Sequence, residues 1–318
     1  MKRPCIVLLA LFAVLTLGGA ETAVADVIYS FTTFNAPGAS GFGTNAFGIN
    51  NSGQMVGSFF DAGNSTTHGF LNTGGSFTTI NAPGARSTNA NGINNSGQIV
   101  GYFVDALGSH GFLDTGGSFT TINVPGATST YAYGINDSGQ IVGYFVDGLG
   151  SHGFLDTGGS FTTINVPGAT STFAYGINGS GHIAGFFVDA LGQHGFLDTG
   201  GSFTTINAPG ASSTIASGIN NSDQIVGFVN PTMLAQGFLD TGGSFSPIVV
   251  PGFCCTSPQG INDNGQIVGF VGGPAAPNMA FVATPVATPE SSTLLTLATS
   301  LVALLGIAWH RKCADRSR

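Results

Sequence analysis

Positive charge is nearly absent from the body of this chain. Of its 318 residues only seven are Lys or Arg, and six of these lie in the first three or the last eight positions. Between residues 26 and 285, Arg86 is the one basic residue, against twelve Asp and no Glu. Binding a nucleic-acid backbone requires several Lys or Arg contacts to phosphates. Nucleic acid is therefore excluded as a partner.

Cysteine and tryptophan are also scarce. Cys5 and Cys313 lie in the terminal segments, so the body contains only the neighbours Cys254 and Cys255, which can close only a strained ring. No disulfide framework is expected, and we interpret this pair as small buried residues. The single tryptophan, Trp309, is also outside the body, so a sugar site would have to use Tyr or Phe.

The two ends of the chain have the composition of targeting segments. Lys2 and Arg3 precede an apolar run, and an Ala-Val-Ala cleavage pattern ends at residue 25, which predicts a signal peptide over residues 1–25. Residues 291–309 contain no charge and are followed by Arg and Lys, which predicts a transmembrane helix with its basic end in the cytoplasm. A buried C-terminal helix is the alternative.

A repeat of 42 residues fills the region between these segments. The tripeptide Gly-Ile-Asn recurs at spacings of 44, 42, 42, 42 and 42 residues. Its six copies begin at Gly48, Gly92, Gly134, Gly176, Gly218 and Gly260. A period in this range indicates propeller blades or solenoid coils.

Each period is predicted to form four strands. In the third copy they are expected at 131–136, 140–146, 152–155 and 160–164. Turns rich in Asp, Ser and Gly separate them. The second, QIVGYFV, is apolar almost throughout, which is typical of a strand buried on both faces, as in a blade packed between two others.

The ends of the repeat array predict how it closes. The fourth-strand motif Ser-Phe-Thr-Thr-Ile begins at Ser76, Ser118, Ser160 and Ser202, with a variant from Ser244. The sixth repeat lacks it, and a matching segment, Ser30-Phe31-Thr32-Thr33-Phe34, stands near the start of the body. We therefore predict an all-β, six-bladed propeller over residues 26–285, closed by its N-terminal strand. An open β-solenoid or a flattened β-prism is the alternative.

The repeat resembles a known bacterial family. Each Gly-Ile-Asn segment is followed by a His-Gly-Phe triplet, at His68, His110, His152 and His194, replaced by Gln-Gly-Phe and Met-Ala-Phe in the last two copies. This pattern is similar to the extracellular HAF repeats, named for His-Ala-Phe, although Gly stands here in the middle. The resemblance implies an extracellular location more than a particular activity.

The tail from 286 to 318 resembles a PEP-CTERM sorting signal. Pro289 and Glu290 precede the apolar span and the basic end, with Ser291 where the second Pro usually stands. The resemblance implies recognition by an exosortase at the inner membrane of a Gram-negative bacterium. It also implies cleavage near Pro289 and Glu290 and release toward the cell surface or the exopolysaccharide matrix. A permanent membrane anchor is the alternative.

Two sets of repeated residues are candidates for metal binding. The four His lie on the third strand of separate blades, too far apart to share one Zn²⁺, so we interpret them as packing residues. Asp105, Asp147 and Asp189 close the second strands and are the alternative, as oxygen ligands for Ca²⁺. Asp at such positions usually accepts backbone N–H groups. We therefore expect no metal and no other cofactor.

Positions where the copies differ are better candidates for a binding site, since a reaction needs unlike groups. Arg86 is the only cation of the body, and His182 replaces the usual Gln of a turn. Asp223 replaces a turn Gly, and residues 230–233 differ in sequence from the same loop of the other copies. None of these forms a nucleophile, base and orienting group. Arg86 and His182 are therefore candidate ligand-binding residues, with no catalytic residue.

These observations predict an exported, monomeric, non-catalytic surface or matrix protein. Its partners would be exopolysaccharide or surface proteins, together with the exosortase that processes it. The alternative is an enzyme, a glycan hydrolase or lyase, with its site at the axial funnel of the propeller. The fold alone does not decide between them.

Overall fold

The protein is a six-bladed β-propeller. A computed structural model describes residues 28–286 apart from 41, 42, 62, 64, 230–234, 274 and 275. The described residues form six four-stranded antiparallel sheets. This confirms the propeller prediction, and the solenoid and prism alternatives are wrong. The predicted signal peptide, the sorting motif at Pro289 and Glu290, the transmembrane helix and the loop at 230–233 lie outside the described residues.

Twenty-four strands make up the blades, numbered here in chain order. Blade 1 contains β2 (Thr44–Ile49), β3 (Met55–Asp61), β4 (Thr66–Thr73) and β5 (Ser76–Ile80). Blade 2 contains β6 (Ser87–Ile93), β7 (Ile99–Val104), β8 (Ser109–Thr115) and β9 (Ser118–Ile122). Blade 3 contains β10 (Ser129–Ile135), β11 (Gln140–Asp147), β12 (Gly150–Thr157) and β13 (Ser160–Ile164).

The remaining blades repeat this order. Blade 4 contains β14 (Ser171–Ile177), β15 (Ile183–Asp189), β16 (Gly192–Asp198) and β17 (Phe203–Ile206). Blade 5 contains β18 (Thr214–Ile219), β19 (Gln224–Val229), β20 (Gln236–Thr241) and β21 (Ser244–Ile248). Blade 6 contains β22 (Cys255–Ile261), β23 (Ile267–Gly273), β24 (Ala276–Val286) and the N-terminal β1 (Ile28–Phe34).

The N-terminal strand closes the ring as the sequence predicts. β1 pairs antiparallel with β24 along its whole length, from Ile28 opposite Val286 to Phe34 opposite Ala280. The ring of Phe31 lies 6.3 Å from that of Phe281, measured between centroids. The last blade is therefore assembled from both ends of the described chain, so no blade has to be capped.

The hydrophobic core is divided among the interfaces between blades. Each apolar cluster joins one blade to the next, and the cluster at the closing seam joins Val268 and Ala280 of blade 6 to Phe70 of blade 1. The Phe of each third strand is buried in such a cluster. A glycine in the second strand makes room for it: a Cβ on Gly143 would lie 2.8 Å from the ring of Phe154.

The Asn of each Gly-Ile-Asn motif links neighbouring blades into a closed ring of hydrogen bonds. Its side-chain Nδ2 donates to the backbone carbonyl oxygen of the equivalent Asn in the next blade. The six donors are Asn50, Asn94, Asn136, Asn178, Asn220 and Asn262, at N···O distances of 2.9–3.2 Å. All six side chains are buried. This ring marks one end of the propeller, the asparagine face.

The cysteine pair departs from the prediction. Cys254 is exposed and Cys255 is partly exposed, so the two residues are not buried in the core. They lie at the start of β22, where the Sγ of Cys254 is 3.4 Å from the carbonyl oxygen of Gly272 on the neighbouring strand. The repeat places this position at a surface turn before the innermost strand, which accounts for the exposure.

Candidate functional site

Every innermost strand contains a β-bulge that directs one side chain at the propeller axis. The pairing register shifts between Ala and the Gly of Gly-Ile-Asn in five blades, and between Pro258 and Gly260 in blade 6. The bulged residue therefore leaves the regular alternation of the strand. Bulges commonly re-aim side chains toward binding sites. The six bulged residues are Phe47, Asn91, Tyr133, Tyr175, Ser217 and Gln259.

These six positions hold five different residue types, although the residues directly beside them are repeated. Ala precedes and Gly follows the bulged residue in five of the six copies. The bulged position itself is occupied by Phe, Asn, Tyr, Tyr, Ser and Gln around the ring. Residues that differ from blade to blade at the centre of the molecule give the asymmetric lining that an asymmetric ligand requires.

An axial cavity of about 350 Å³ lies inside this ring of bulged residues. Ligand pockets typically enclose about 300–1,000 Å³, so the cavity is suited to a small ligand or to the end of a larger one. Its floor is formed by the Ile of each Gly-Ile-Asn motif. The same six side chains also line a much smaller recess on the asparagine face; they are Ile49, Ile93, Ile135, Ile177, Ile219 and Ile261. They therefore separate the cavity from that face.

Aromatic rings from the second strands complete the wall. Tyr102, Phe186, Phe228 and Phe270 line the cavity from four different blades. The rings of Tyr133 and Tyr175 stack with their centroids 4.4 Å apart and their planes 23° apart. This stacking holds the bulged residues of blades 3 and 4 in one place and makes that side of the cavity a rigid aromatic wall.

The tyrosines of this wall stay neutral far above physiological pH. Tyr144 does not line the cavity but packs beside the wall, with its ring centroid 5.8 Å from that of Tyr133, and burial raises the pKa of Tyr144 to about 12, with neighbouring tyrosines contributing. Burial likewise raises the pKa of Tyr133 and of Tyr175 well above the usual value for a phenol. Their hydroxyl groups are therefore hydrogen-bonding groups at neutral pH and are poorly suited to act as general bases.

The lining carries no formal charge. Among the described residues around the cavity there is no Asp, Glu, His, Lys, Arg or Cys. General acid–base catalysis needs a group whose pKa lies near the working pH, and covalent catalysis needs an activated nucleophile. Amides, hydroxyls and aromatic rings provide binding interactions instead.

One polar group of the lining has no partner. The Oγ of Ser217 is buried and forms no hydrogen bond within the part of the chain that the structure describes. The residue is only 7% exposed and lines the cavity from blade 5. A buried hydroxyl without a hydrogen bond costs about 1–3 kcal/mol. The oxygen has almost no accessible surface, so a ligand in the cavity would recover that free energy only if the Ser217 side chain rotates toward it.

Arg86 does not contribute to this cavity. It is exposed, in the connection that leads from blade 1 to β6, and its backbone N–H donates to the carbonyl oxygen of Val104. It is not among the residues that line the cavity. The one cation of the body and the axial site are therefore separate features.

His182 lies at the asparagine face and pairs with the other exceptional turn residue. Its Nδ1 is 2.8 Å from Oδ1 of Asp223 in the next blade. In the blades that carry Gln at the turn position, the motif Asn donates to that Gln. Because blade 4 has His182 there, Asn178 donates to Asp223 instead, at 2.7 Å. The two departures from the repeat therefore compensate each other.

The repeated His and Asp residues hold turns. His152 Nδ1 lies 3.0 Å from Oδ1 of Asn165, which links the third strand to the connection between blades, and the other three His do the same. The Nε2 of His152 is 3.4 Å from Oδ1 of Asp147, which is close, but the alignment does not make a hydrogen bond.

The candidate calcium ligands are occupied by backbone groups. Oδ1 of Asp105 accepts the N–H groups of Leu107 and Gly108, and Asp147 and Asp189 do the same in their blades. These hydrogen bonds are the largest cause that lowers the pKa of Asp105. Among the described residues, no group of three or more His, Cys, Asp or Glu is arranged to hold a metal ion.

Sequence reasoning missed the bulged positions, although it identified the right principle. The copies differ at the bulged positions as well as at the turns and charged residues from which Arg86 and His182 were predicted. The signal was the residue before each Gly-Ile-Asn, where six copies contain five residue types. A β-bulge changes which face a side chain occupies, and the repeat alone does not reveal where the bulge falls.

No protein-family model matches this sequence, and no curated protein sequence matches it either. Solved propeller structures are distantly similar to it. Virginiamycin B lyase from Staphylococcus aureus is 14% identical, with 82% of this chain and 90% of the lyase covered and a TM-score of 0.46. A putative gluconolactonase is 11% identical, with 82% and 94% covered and a TM-score of 0.46. Aldose sugar dehydrogenase from Streptomyces coelicolor, bound to PQQ, is 11% identical, with 81% and 99% covered and a TM-score of 0.45. Likenesses this distant carry no conclusion about function.

Proposed function

We propose that this chain is an exported, non-catalytic surface or matrix protein that binds polysaccharide in its axial cavity. The observation that carries the proposal is the composition of the cavity lining. It consists of bulged residues of five types and a set of aromatic rings, with no charged group and no activated nucleophile among the described lining residues. Such a lining supplies stacking and hydrogen bonds to a ligand.

The two limits of the described region, Ile28 and Val286, lie where a surface attachment would leave the cavity free. Ile28 and Val286 are paired with each other at the end of the blade that carries the asparagine face. The axial cavity opens at the opposite end, because the six Ile side chains close it toward the asparagine face. A body held by residues beyond Val286 would leave the mouth of the cavity uncovered.

Export and processing are part of the same proposal. The signal peptide over residues 1–25, the HAF repeats and the PEP-CTERM-like tail support a route across the inner membrane. An exosortase would cleave near Pro289 and Glu290 and release a monomer to the surface or matrix. No helix among the described residues has the length and apolar character to span a bilayer. The predicted transmembrane helix at 291–309 lies outside them.

Binding to the exopolysaccharide of the bacterium that produces the protein tests the proposed function directly. The purified chain is titrated with that polysaccharide in two buffers, one containing Ca²⁺ and one containing a chelator. The supernatant of each mixture is then analysed for new reducing ends and for unsaturated sugars. We expect saturable binding, equal in both conditions, and no products. Loss of binding in chelator would favour the calcium alternative at Asp105, Asp147 and Asp189.

The enzyme alternative has a distinct outcome in the same experiment. New reducing ends would indicate a hydrolase, and unsaturated sugars would indicate a lyase. A double variant, Tyr133→Ala with Tyr175→Ala, removes the stacked pair, and Tyr29→Ala on the outermost strand is its matched control. Unchanged binding by the double variant would contradict a site in the cavity.

A further inference from the structure

We infer that the axial cavity binds the uncharged terminal unit of a glycan chain, end-on. This inference rests on the proposed function and narrows it to one ligand class and one mode of entry. It draws on three features of the cavity: a closed floor, a lining without charge and a buried hydroxyl without a partner.

The closed floor decides the mode of entry. The ring of Ile side chains lies between the cavity and the asparagine face, and each of them is 6–7% exposed. Neighbouring innermost strands pack tightly just above these Ile residues, since a Cβ on Gly48 would lie 2.8 Å from the carbonyl oxygen of Asn91 in the next blade. A polymer cannot pass through such a floor. Only a chain end that enters from the mouth reaches the bulged residues.

The absence of charge decides the chemical class. A protein chain end carries an ammonium or a carboxylate group at neutral pH, and burying either one without a partner is strongly unfavourable. The described lining offers no countercharge to either group, and the body around it contains twelve Asp against Arg86 alone. The same argument disfavours a sugar with a terminal carboxylate. A neutral sugar end carries hydroxyl groups and no charge.

The polar residues of the ring suit hydroxyl groups. In the order of the blades, Asn91 of blade 2 stands opposite Ser217 of blade 5, and Gln259 of blade 6 stands opposite Tyr133 of blade 3. Nδ2 of Asn91 already donates to the carbonyl oxygen of Ala132, at 2.8 Å, which fixes the direction of its amide. Sugar hydroxyl groups donate and accept, so one of them would satisfy the Oγ of Ser217 once that side chain rotates toward the cavity.

The first experiment counts chain ends with the unaltered protein. A neutral polysaccharide is cleaved to several mean lengths, and the fractions are compared by calorimetry at equal mass. End-on binding predicts that the number of protein molecules bound rises in proportion to the number of ends. A number that does not change with length would overturn end-on binding and leave polysaccharide binding intact. No binding by any fraction would overturn both.

The second experiment tests the charge argument. A neutral oligosaccharide is compared with the same oligosaccharide oxidised to a carboxylate at its terminal unit. We expect the carboxylate form to bind at least tenfold more weakly. Equal affinity for the two would overturn the assignment to an uncharged end, and tight binding of a short peptide in place of the sugar would do the same.

The third experiment blocks the cavity with a side chain that the repeat already accepts. Tyr occupies the bulged position in blades 3 and 4, so Ser217→Tyr is compatible with the backbone of blade 5. We expect at least a tenfold loss of affinity for the neutral oligosaccharide. Ser244→Tyr, at an exposed position of the same blade, is the matched control and leaves affinity unchanged. A Ser217→Tyr protein that binds normally would overturn the site.

A milder variant separates a binding role of the hydroxyl from a structural one. Ser217→Ala removes a group that has no hydrogen bond within the described chain, so its midpoint of unfolding should not fall. We expect affinity to fall about three- to tenfold, the equivalent of one hydrogen bond. A lower midpoint with unchanged affinity would show that the hydroxyl serves the fold and not the ligand.

Discussion

At the scale of single residues, the aspartates near the ends of the third strands are placed at a cost to stability. Oδ1 of Asp156 accepts the N–H of Gly159 at 2.6 Å, while the residue is only 6% exposed. Burial raises the pKa of this carboxyl, and the hydrogen bond from Gly159 only partly opposes the shift. Asp114 and Asp240 are shifted in the same direction for the same reason. Blade 1 has Asn72 at this position, with the same hydrogen bond to Gly75.

We predict that Asp156→Asn increases stability at pH 7. A raised pKa means that the folded state binds a proton more readily than the unfolded state. Stability contributed by the aspartate therefore rises as pH falls through the folded pKa, and it is lowest when the group is ionised. Asn keeps the turn hydrogen bond without a charge. We expect a gain of a few tenths of a kcal/mol, because solvent screens part of the effect.

Urea unfolding at pH 7 and near pH 4 measures this gain. The difference between Asp156→Asn and the parent should shrink as the pH falls, because the aspartate then binds a proton. A variant with Asn at 114, 156 and 240 should show roughly the summed effect, because the three sites lie in different blades. A less stable variant at pH 7 would contradict the argument from burial.

At the scale of the turn, blade 4 shows how two departures from a repeat compensate each other. Asp223 has a backbone φ of +55°, in a region that favours glycine. The other five copies of the repeat have glycine at this position. The carboxylate of Asp223 accepts from Asn178 and contacts His182, so the unfavourable backbone conformation is offset by contacts across the blade interface.

We predict a positive coupling between His182 and Asp223 in a double-mutant cycle. Asp223→Gly alone should lose about 1 kcal/mol, since Asn178 and His182 both lose an acceptor. The double variant, with His182→Gln and Asp223→Gly, restores the consensus turn and should unfold within about 0.5 kcal/mol of the parent. Urea unfolding of the parent, the two single variants and the double variant measures this coupling energy. Additive effects of the two changes would show that the contact has no energetic consequence.

Much of the strand pattern could be predicted from the sequence, because each strand and turn has a local signature repeated several times. The fourth strand of blade 3, Ser160–Ile164, coincides with its prediction, and the third strand extends by two residues at each end to Gly150–Thr157. The candidate site could not be predicted in the same way. It depends on where β-bulges turn six side chains toward a shared axis, and Arg86 and His182, which composition favoured, lie elsewhere.

At the scale of the whole molecule, the ring depends on a single noncovalent closure. No disulfide joins the described residues, and each interface between blades has its own apolar cluster of similar composition. The fourth strand of blade 6, β1, comes from the opposite end of the described chain, whereas every other blade is built from consecutive strands. Its seven paired residues are what keep β24 from becoming an exposed edge.

We predict that a chain beginning at residue 35 loses this closure. Compared with a chain beginning at residue 26, it lacks Phe31, which packs against Phe281 in the last apolar cluster. The free energy of unfolding should fall by at least about 3 kcal/mol, because the partly buried rings of Tyr29, Phe31 and Phe34 are removed together. The free edge of β24 should also promote association that increases with concentration. A peptide of residues 26–40, added separately, should restore both stability and the monomer, whereas a scrambled peptide should not. If the chain beginning at residue 35 unfolds at the same denaturant midpoint and stays monomeric without the peptide, the N-terminal strand is not what holds the ring closed.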